Sequence, residues 1–95
     1  MPDRFSYAEV NAFPLLYQDV AVLWKGLPAN IESSAAGTSF DLLVGYHDKR
    51  KLDGIVAVRA PFELRLPPDR PVEVLAKVKP TASGFILECI AVHEL

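Results

Sequence analysis

A chain of 95 residues has room for a single folded domain, and its 51% hydrophobic content excludes an intrinsically disordered protein. The formal net charge of −2 argues against a dedicated nucleic-acid-binding protein, because affinity for phosphates comes from clustered Lys and Arg. Any nucleic-acid role is therefore expected to be shared with other chains.

The single cysteine, Cys89, excludes an intrachain disulfide and suits a reducing compartment. The most apolar segments are interrupted by Asp19, Lys25 and Glu88, so no membrane span is predicted. The first ten residues lack the basic end and the apolar stretch of a signal peptide. Both observations predict an intracellular protein.

The first half of the chain reads as an arm followed by strands. Residues 1–19 have no sustained 3.6-residue period, which predicts an irregular arm with one helical turn near Asn11. The barrel domain is predicted to span 20–95. Its first strand covers residues 20–27, with Gly26 marking a bend. The small, polar stretch LPANIESSAAGTS, residues 27–39, is predicted to be a mobile loop.

Strands two and three are predicted to form a hairpin. Residues 39–48 alternate, and the side chains of Phe40, Leu42, Val44 and Tyr46 share one face. The polar run HDKRKLDG ends in Asp-Gly, a strong turn signal, and residues 54–59 form the third strand. The proline-bearing stretch that follows is predicted to be mostly a connection, with PFELRL as a short edge strand at most.

The last two strands differ in their patterns. Residues 72–79 alternate, which predicts a half-buried fourth strand. Residues 85–92 are apolar on both sides, and only Glu88 is polar on the second side. The predicted inward side of strand five consists of Phe85, Leu87, Cys89 and Ala91, and its outward side carries Ile86, Ile90 and Val92; a register error of one residue would exchange the two sets.

Five short strands without a long helix predict an all-β protein: a five-stranded OB-fold barrel with an irregular N-terminal arm. Strand five must close this barrel. Its apolar outward side would meet water on a lone barrel, so we expect a partner protein to cover it. The predicted contact residues are Leu75, Ile86, Ile90 and Val92.

The sequence resembles the small, third subunit (~14 kDa) of eukaryotic replication protein A over roughly residues 10–95. The segments that carry the resemblance are VNAFPLLYQDVAVLWKGL, SFDLLVGYHDKRKLDGIVAVRAP and RPVEVLAKVKPTASGFILECIAV. The positions that match the pattern of that family are Asn11, Gly26, Leu27, Gly54, Pro61, Glu73 and Val78.

The resemblance implies an assembly subunit of a nuclear, heterotrimeric single-stranded-DNA-binding complex that serves DNA replication, repair and recombination. Its partners would be the middle and large OB-fold subunits, and single-stranded DNA would be bound mainly through the complex. Members of that family continue into a long C-terminal helix, whereas this sequence ends at Leu95; we expect either a shortened chain or a member that assembles through its barrel alone. The small subunit of the telomere-capping CST complex resembles the same barrel.

Weak nucleic-acid contact is predicted at Lys49, Arg50, Lys51 and Phe62, since OB domains bind single strands with cations and stacked aromatics. Asp48 and Asp53 flank the basic cluster, so a solvated turn is the plainer interpretation. Trp24 and Tyr46 are predicted to pack inward. A stand-alone nucleic-acid-binding OB module remains an alternative.

Enzymatic activity is not predicted, because no phosphate-binding loop, metalloprotease motif or nucleophile elbow occurs in the sequence. His47 next to Asp48 lacks an identifiable nucleophile. Cys89 is predicted to be a structural thiol, and His93 has no second ligand nearby. No metal or cofactor is predicted.

Overall fold

A computed structural model describes residues 5–95 and shows five strands closed into a barrel in the order β1-β2-β3-β5-β4. Every strand pair is antiparallel except β3 with β5. The predicted all-β, five-stranded OB-fold barrel is confirmed. Its elements are α1 (Tyr7–Ala12), a first 3-10 turn (Pro14–Tyr17), β1 (Ala21–Ser34), β2 (Gly37–Val44), a second 3-10 turn (Tyr46–Asp48), β3 (Gly54–Ala60), β4 (Val72–Thr81) and β5 (Gly84–Glu94).

The barrel interior is filled by alternate side chains of all five strands. Burial alternates along β4 and β2, as the sequence pattern predicts, because successive side chains of a strand point to opposite faces. None of the helices in residues 5–95 is long and apolar enough to cross a bilayer. The buried core residues are Val10, Val22, Trp24, Phe40, Leu42, Val44, Val56, Val58, Ala60, Val72, Val74, Ala76, Val78, Leu87 and Cys89.

Strand β1 is long because it serves two neighbours. It pairs with β4 from Ala21 to Gly26 and with β2 from Gly26 onward, so Gly26 lies opposite both Val44 and Val72. A Cβ atom at Gly26 would lie 2.3 Å from the carbonyl oxygen of Leu43. Only glycine therefore allows the neighbouring backbone to approach this closely.

The predicted mobile loop over residues 27–39 is wrong. Strand β1 continues to Ser34 and β2 begins at Gly37, so only a two-residue turn separates them. The register shifts between Ala29 and Glu32, and Asn30 has a φ of 51°, which marks a bulge. Small polar side chains suggested a loop, but backbone pairing with β2 holds this stretch in the sheet.

The connection between β3 and β4 contains no helix or strand and is attached to the β1–β2 hairpin by side chains. The hydroxyl of Thr38 donates to the carbonyl of Phe62 at 3.1 Å and accepts from the amide of Leu64 at 2.7 Å. The hydroxyl of Ser33 donates to the carbonyl of Leu64 at 2.8 Å. The predicted connection is confirmed, and its optional edge strand does not form.

The N-terminal arm packs against the end of the barrel where β3 and β5 begin. Helix α1 starts with a capping box between Ser6 and Glu9, and it buries Val10 completely. The ring of Tyr7 contacts those of Trp24 and Phe85, with centroids 5.8 Å apart in each pair. The predicted helical turn near Asn11 is confirmed, and the arm contributes to the core.

Candidate partner interface

An apolar row crosses the outward faces of β1, β4 and β5. Leu23 lies opposite Leu75, and Leu75 lies opposite Ala91. Leu23 is 40% exposed, Ala91 is exposed and Leu75 is half-buried. Ile90, 46% exposed, precedes Ala91 in β5. Leu23, Leu75, Ile90 and Ala91 are called the apolar row below, and a contiguous row of partly exposed apolar side chains is a candidate docking surface.

Three of the four predicted contact residues lie on this side of the barrel. Ile90 and the half-buried Leu75 belong to the apolar row itself. Ile86 is half-buried and lies opposite Lys79, farther toward the start of β5. Their role in partner contact remains a prediction.

A bulge in β5 reverses the alternation of its side chains. Cys89 lies opposite Ala76, and the next paired residue, Ala91, lies opposite Leu75. Ile90 is therefore the extra residue, left without a partner in β4. A bulge of this kind bends its strand and exchanges the faces beyond it.

The predicted orientations of Ala91 and Val92 are wrong for this reason. Val92 lies opposite the buried Val74 and packs against the core, whereas Ala91 is exposed. Both faces of β5 are apolar, so hydrophobicity alone gave no sign of the reversal. Val92 leaves the set of candidate contact residues, and Ala91 joins it.

An ion pair fixes the arm to the edge of this surface. The ammonium group of Lys79 donates to the carboxylate of Asp19, and the Asp19 amide donates to the Val78 carbonyl at 2.9 Å. The hydrogen bond from Lys79 lowers the pKa of Asp19, and the same bond raises the pKa of Lys79. Lys79 is thus already engaged within the chain.

The basic cluster Lys49, Arg50 and Lys51 lies in the connection between β2 and β3 and is exposed. Lys49 adopts a left-handed conformation, with φ at 60°, and ends the second 3-10 turn. The backbone amide of Arg50 donates to the carboxylate of Asp48 at 3.0 Å. The three cations therefore point into solvent from an ordered turn beside an acidic residue.

Phe62 lies far from the basic cluster. Phe62 comes just after β3, at the end of the β2–β3 pair where Thr38 lies opposite Ala60. The basic cluster lies at the other end of this pair, where Val44 lies opposite Gly54. Six residue steps of about 3.3 Å separate these ends, or roughly 20 Å. Phe62 is 37% exposed, but the structure does not bring the four predicted nucleic-acid contacts together.

The outward faces of β2 and β3 carry no aromatic side chain. The outward residues of the paired strands are Ser39, Asp41, Leu43, Ile55, Ala57 and Arg59. Trp24 is buried in the core, as predicted, and its indole donates to the Phe5 carbonyl at 2.7 Å. Tyr46 is half-buried in the second 3-10 turn and not on the strand. Base stacking on this face therefore lacks its usual platform.

A cleft of about 400 Å³ lies between the arm and the second 3-10 turn, and its polar lining includes Lys25, His47, Asp53 and Glu73. Ser6 also lines it, but the Ser6 hydroxyl caps helix α1. Within residues 5–95 there is no group of three or more side chains suited to hold a metal ion. The cleft brings charged side chains of β1, β4 and the β2–β3 connection together beside the arm.

Cys89 is a core residue, 3% exposed, and burial raises the pKa of its thiol to about 11. The unfolded thiol loses its proton near pH 9, while the folded thiol keeps it until about pH 11. The folded state therefore binds more protons between these values, and stability falls as the pH rises through this window.

We expect this one group to lower the free energy of unfolding by about 2 kcal/mol between pH 9 and pH 11. Urea unfolding at both pH values, for the natural chain and for Cys89→Ala, isolates the effect because the other titrating groups are shared. An equal loss in both proteins would contradict it.

The arm exposes apolar side chains that were not selected from the sequence. Phe13, Leu15 and Leu16 are 64%, 77% and 75% exposed around the first 3-10 turn. The segment lacked a helical or strand period, so no face could be assigned to it. The turn lies against β4, and Tyr17 packs against the core, while Leu15 and Leu16 stay exposed.

The comparisons with known proteins support the OB fold described above. The family model described as spirochaete C-terminal OB fold matches residues 1–93. No similar sequence was found among curated proteins. A chain in the structure of a replication protein A heterotrimer bound to single-stranded DNA is similar, with a TM-score of 0.62 and 14% identity. A chain of the S. pombe Stn1-ten1 complex has a TM-score of 0.60 and 17% identity.

Both structural matches cover 79% of this chain and 57% of the matched chain. This chain therefore corresponds to little more than half the length of either relative. At sequence identities this low, the similarity to these two chains shows a shared fold alone.

Proposed function

We propose that this chain, which belongs to the spirochaete C-terminal OB-fold family, is an assembly subunit of a single-stranded-DNA-binding complex built from OB-fold subunits. The observation that carries the proposal is the apolar row of Leu23, Leu75, Ile90 and Ala91 on the outward side of the barrel. The two similar complexes support it, because each contains a barrel of this fold within an assembly of several chains.

The face on which OB domains usually stack bases supports an assembly role over direct DNA binding. On β2 and β3 this face presents Asp41 and one cation, Arg59, with no aromatic side chain. Single-strand affinity comes from stacking and from counterion release by cations, so this barrel's own contact with DNA would be weak. Lys49 to Lys51 would add a phosphate contact inside the complex.

The proposed partners are larger OB-fold subunits, corresponding to the middle and large subunits of replication protein A, and the proposed processes are DNA replication, repair and recombination. The resemblance implies a nuclear location, which we keep as part of the proposal. In a cell without a nucleus, such as a spirochaete, the same role would place the chain with the chromosomal DNA.

Two alternative functions stand beside the proposed one: the first differs from it in the partner, and the second differs in the class of protein. A role like that of the small CST subunit uses the same apolar row and changes only the partner, and the likeness to the Stn1-ten1 complex favours it equally. A stand-alone nucleic-acid-binding module is favoured by the exposed cluster Lys49 to Lys51. That module would bind oligonucleotides as an isolated chain, with an affinity that falls steeply as salt is added.

Ile90→Glu should abolish co-purification with a larger OB-fold subunit from the same source, expressed together with this chain. A carboxylate in the centre of an apolar contact costs about 2 kcal/mol or more, a loss of roughly thirtyfold in affinity. The bulged Ile90 is already 46% exposed, so the barrel should stay folded, which circular dichroism checks.

Ile55→Glu is the matched control, because Ile55 is 55% exposed but lies on the outward face of β3. The proposal expects Ile55→Glu to co-purify as the natural chain does. Retention of the partner by Ile90→Glu would count against the apolar row as the assembly surface, and failure of the natural chain to bind any OB-fold subunit would count against the proposed function.

A further inference from the structure

The charged residues that flank the apolar row are arranged in a way that suits a second copy of the same surface. On β4, Leu75 lies between Lys77 on one side and Glu73 on the other, and all three side chains point outward. An apolar centre with a charged rim is the usual anatomy of a protein interface. The signs of the two rim charges determine which arrangement of two copies is favourable.

The flanking rows extend across the neighbouring strands. Lys77 lies between Ala21 in β1 and Glu88 in β5, and Glu73 lies between Lys25 in β1 and His93 in β5. Within residues 5–95, Lys79 and Asp19 form the only ion pair, so the rim charges of β4 have no such partner in the described chain. Neither Lys77 nor Glu73 is therefore held in an ion pair within the described residues.

Two copies of the row can face each other about a two-fold axis in either of two directions. An axis along the strands would place Lys77 over Lys77 and Glu73 over Glu73 of the other copy. An axis across the strands at Leu75 places each Lys77 over a Glu73, and each Leu75 over the other Leu75. Like charges in direct opposition are unfavourable, so the charges select the second arrangement.

The residues of β1 and β5, the two strands beside β4, are compatible with the same axis. It brings Leu23 over Leu23 and Ala91 over Ala91, which extends the apolar contact on both sides of Leu75. It brings Glu88 over His93 and Lys25 over Ala21, so no like-charged pair arises in β5 or in β1. Stacked sheets pack within about 30° of alignment, and residues of β4 keep these oppositions best because this strand passes through the centre of the contact at Leu75.

We infer that the free chain covers this apolar row with a second copy of itself, packed about a two-fold axis across the strands, and that a larger subunit binds by displacing that copy. The inference rests on the proposed function in taking the same row as the assembly surface. The row would therefore bind either a second copy of the chain or a larger subunit, but never both at once.

The test exchanges the rim charges. Lys77→Glu places two carboxylates opposite each other at both ends of the contact, and Glu73→Lys does the same with two ammonium groups. Each single variant should therefore be a monomer in sedimentation and light scattering, where the natural chain shows twice the 10.5 kDa of one chain. The dimer fraction should rise with concentration.

Mixing the two single variants restores opposite charges at every rim position. The carboxylate introduced by Lys77→Glu would then face the ammonium group introduced by Glu73→Lys in the other chain, and the unchanged Glu73 of the first variant would face the unchanged Lys77 of the second. The mixture should form a dimer that neither variant forms alone, and the double variant Lys77→Glu with Glu73→Lys should regain self-association. Neither a folding defect nor a general change in net charge predicts recovery on mixing.

A natural chain that stays monomeric at its highest soluble concentration would overturn the inference. So would a dimer that both single variants retain, because its contact would lie elsewhere. A monomeric chain that still co-purifies with a larger OB-fold subunit would overturn self-pairing alone and leave the proposed function standing.

Discussion

The Gly26→Ala variant is expected to lose about 3 kcal/mol of stability, although it adds a single methyl group. The new Cβ atom would lie 2.3 Å from the carbonyl oxygen of Leu43 and 3.0 Å from the side chain of Leu42. The first contact is with backbone, which no side-chain rotation can relieve. Strand β1 would have to move away from β2 at the point where it also pairs with β4.

Urea unfolding followed by circular dichroism measures this loss. Glu32→Ala is a suitable control in the same strand, since Glu32 is exposed and its replacement should change stability by less than about 0.5 kcal/mol. A Gly26→Ala barrel as stable as the control would mean that β1 and β2 do not approach this closely.

The Val10→Asp variant is expected to lose about 4 kcal/mol, through release of the arm from the barrel or through complete unfolding. Val10 is fully buried within the core cluster, and a carboxylate there has no partner to offset the loss of hydration. The arm also holds Trp24, whose indole donates to the Phe5 carbonyl. Release of the arm should therefore expose the indole to water.

The fluorescence of Trp24 reports this directly, because an indole that enters water emits at longer wavelength. Ala8→Asp provides the matched control: the same side chain is introduced in the same helix, at an exposed position of its first turn. Unchanged emission and unchanged stability in Val10→Asp would show that residues 20–95 fold independently of the arm, as the domain division made from the sequence proposes.

The parts of the fold that could be predicted are those with an unambiguous period. Strand β4 alternates strictly, and its four inward side chains are buried as predicted. Gly26 was singled out from the sequence as a bend, whereas the structure shows a close approach to the backbone of Leu43, which depends on the neighbouring strand. Local pattern was sufficient where one face is apolar and the other polar.

The errors arose where pairing with a distant strand overrides composition. Residues 27–39 read as a loop because they are small and polar, yet their backbone pairs with β2 and their hydroxyls hold the β3–β4 connection. The reversal at Ile90 has the same origin. A bulge is set by the register between β4 and β5, and a strand that is apolar on both faces carries no local mark of it.

The candidate surface was predicted in part for a related reason. Ile86, Ile90 and Val92 were selected because the outward side of strand five is apolar, and Leu75 was added from strand four. The assigned orientation holds up to the bulge and fails at Val92, which lies beyond it. Leu23 was not selected, because only the pairing of β1 with β4 places it next to Leu75. Likewise, sequence distance gave no sign that Phe62 and the basic cluster lie at opposite ends of β2 and β3.

The most direct test of an assembly role is the amide spectrum of the isotope-labelled chain, recorded with a single-stranded oligonucleotide at low salt and then with a larger OB-fold subunit. If the chain is an assembly subunit, we expect the oligonucleotide to leave the spectrum nearly unchanged and the larger subunit to shift the amides around Leu23, Leu75 and Ile90. Saturable, salt-sensitive shifts at Lys49 to Lys51 caused by the oligonucleotide alone, with none at the apolar row from the subunit, would contradict it.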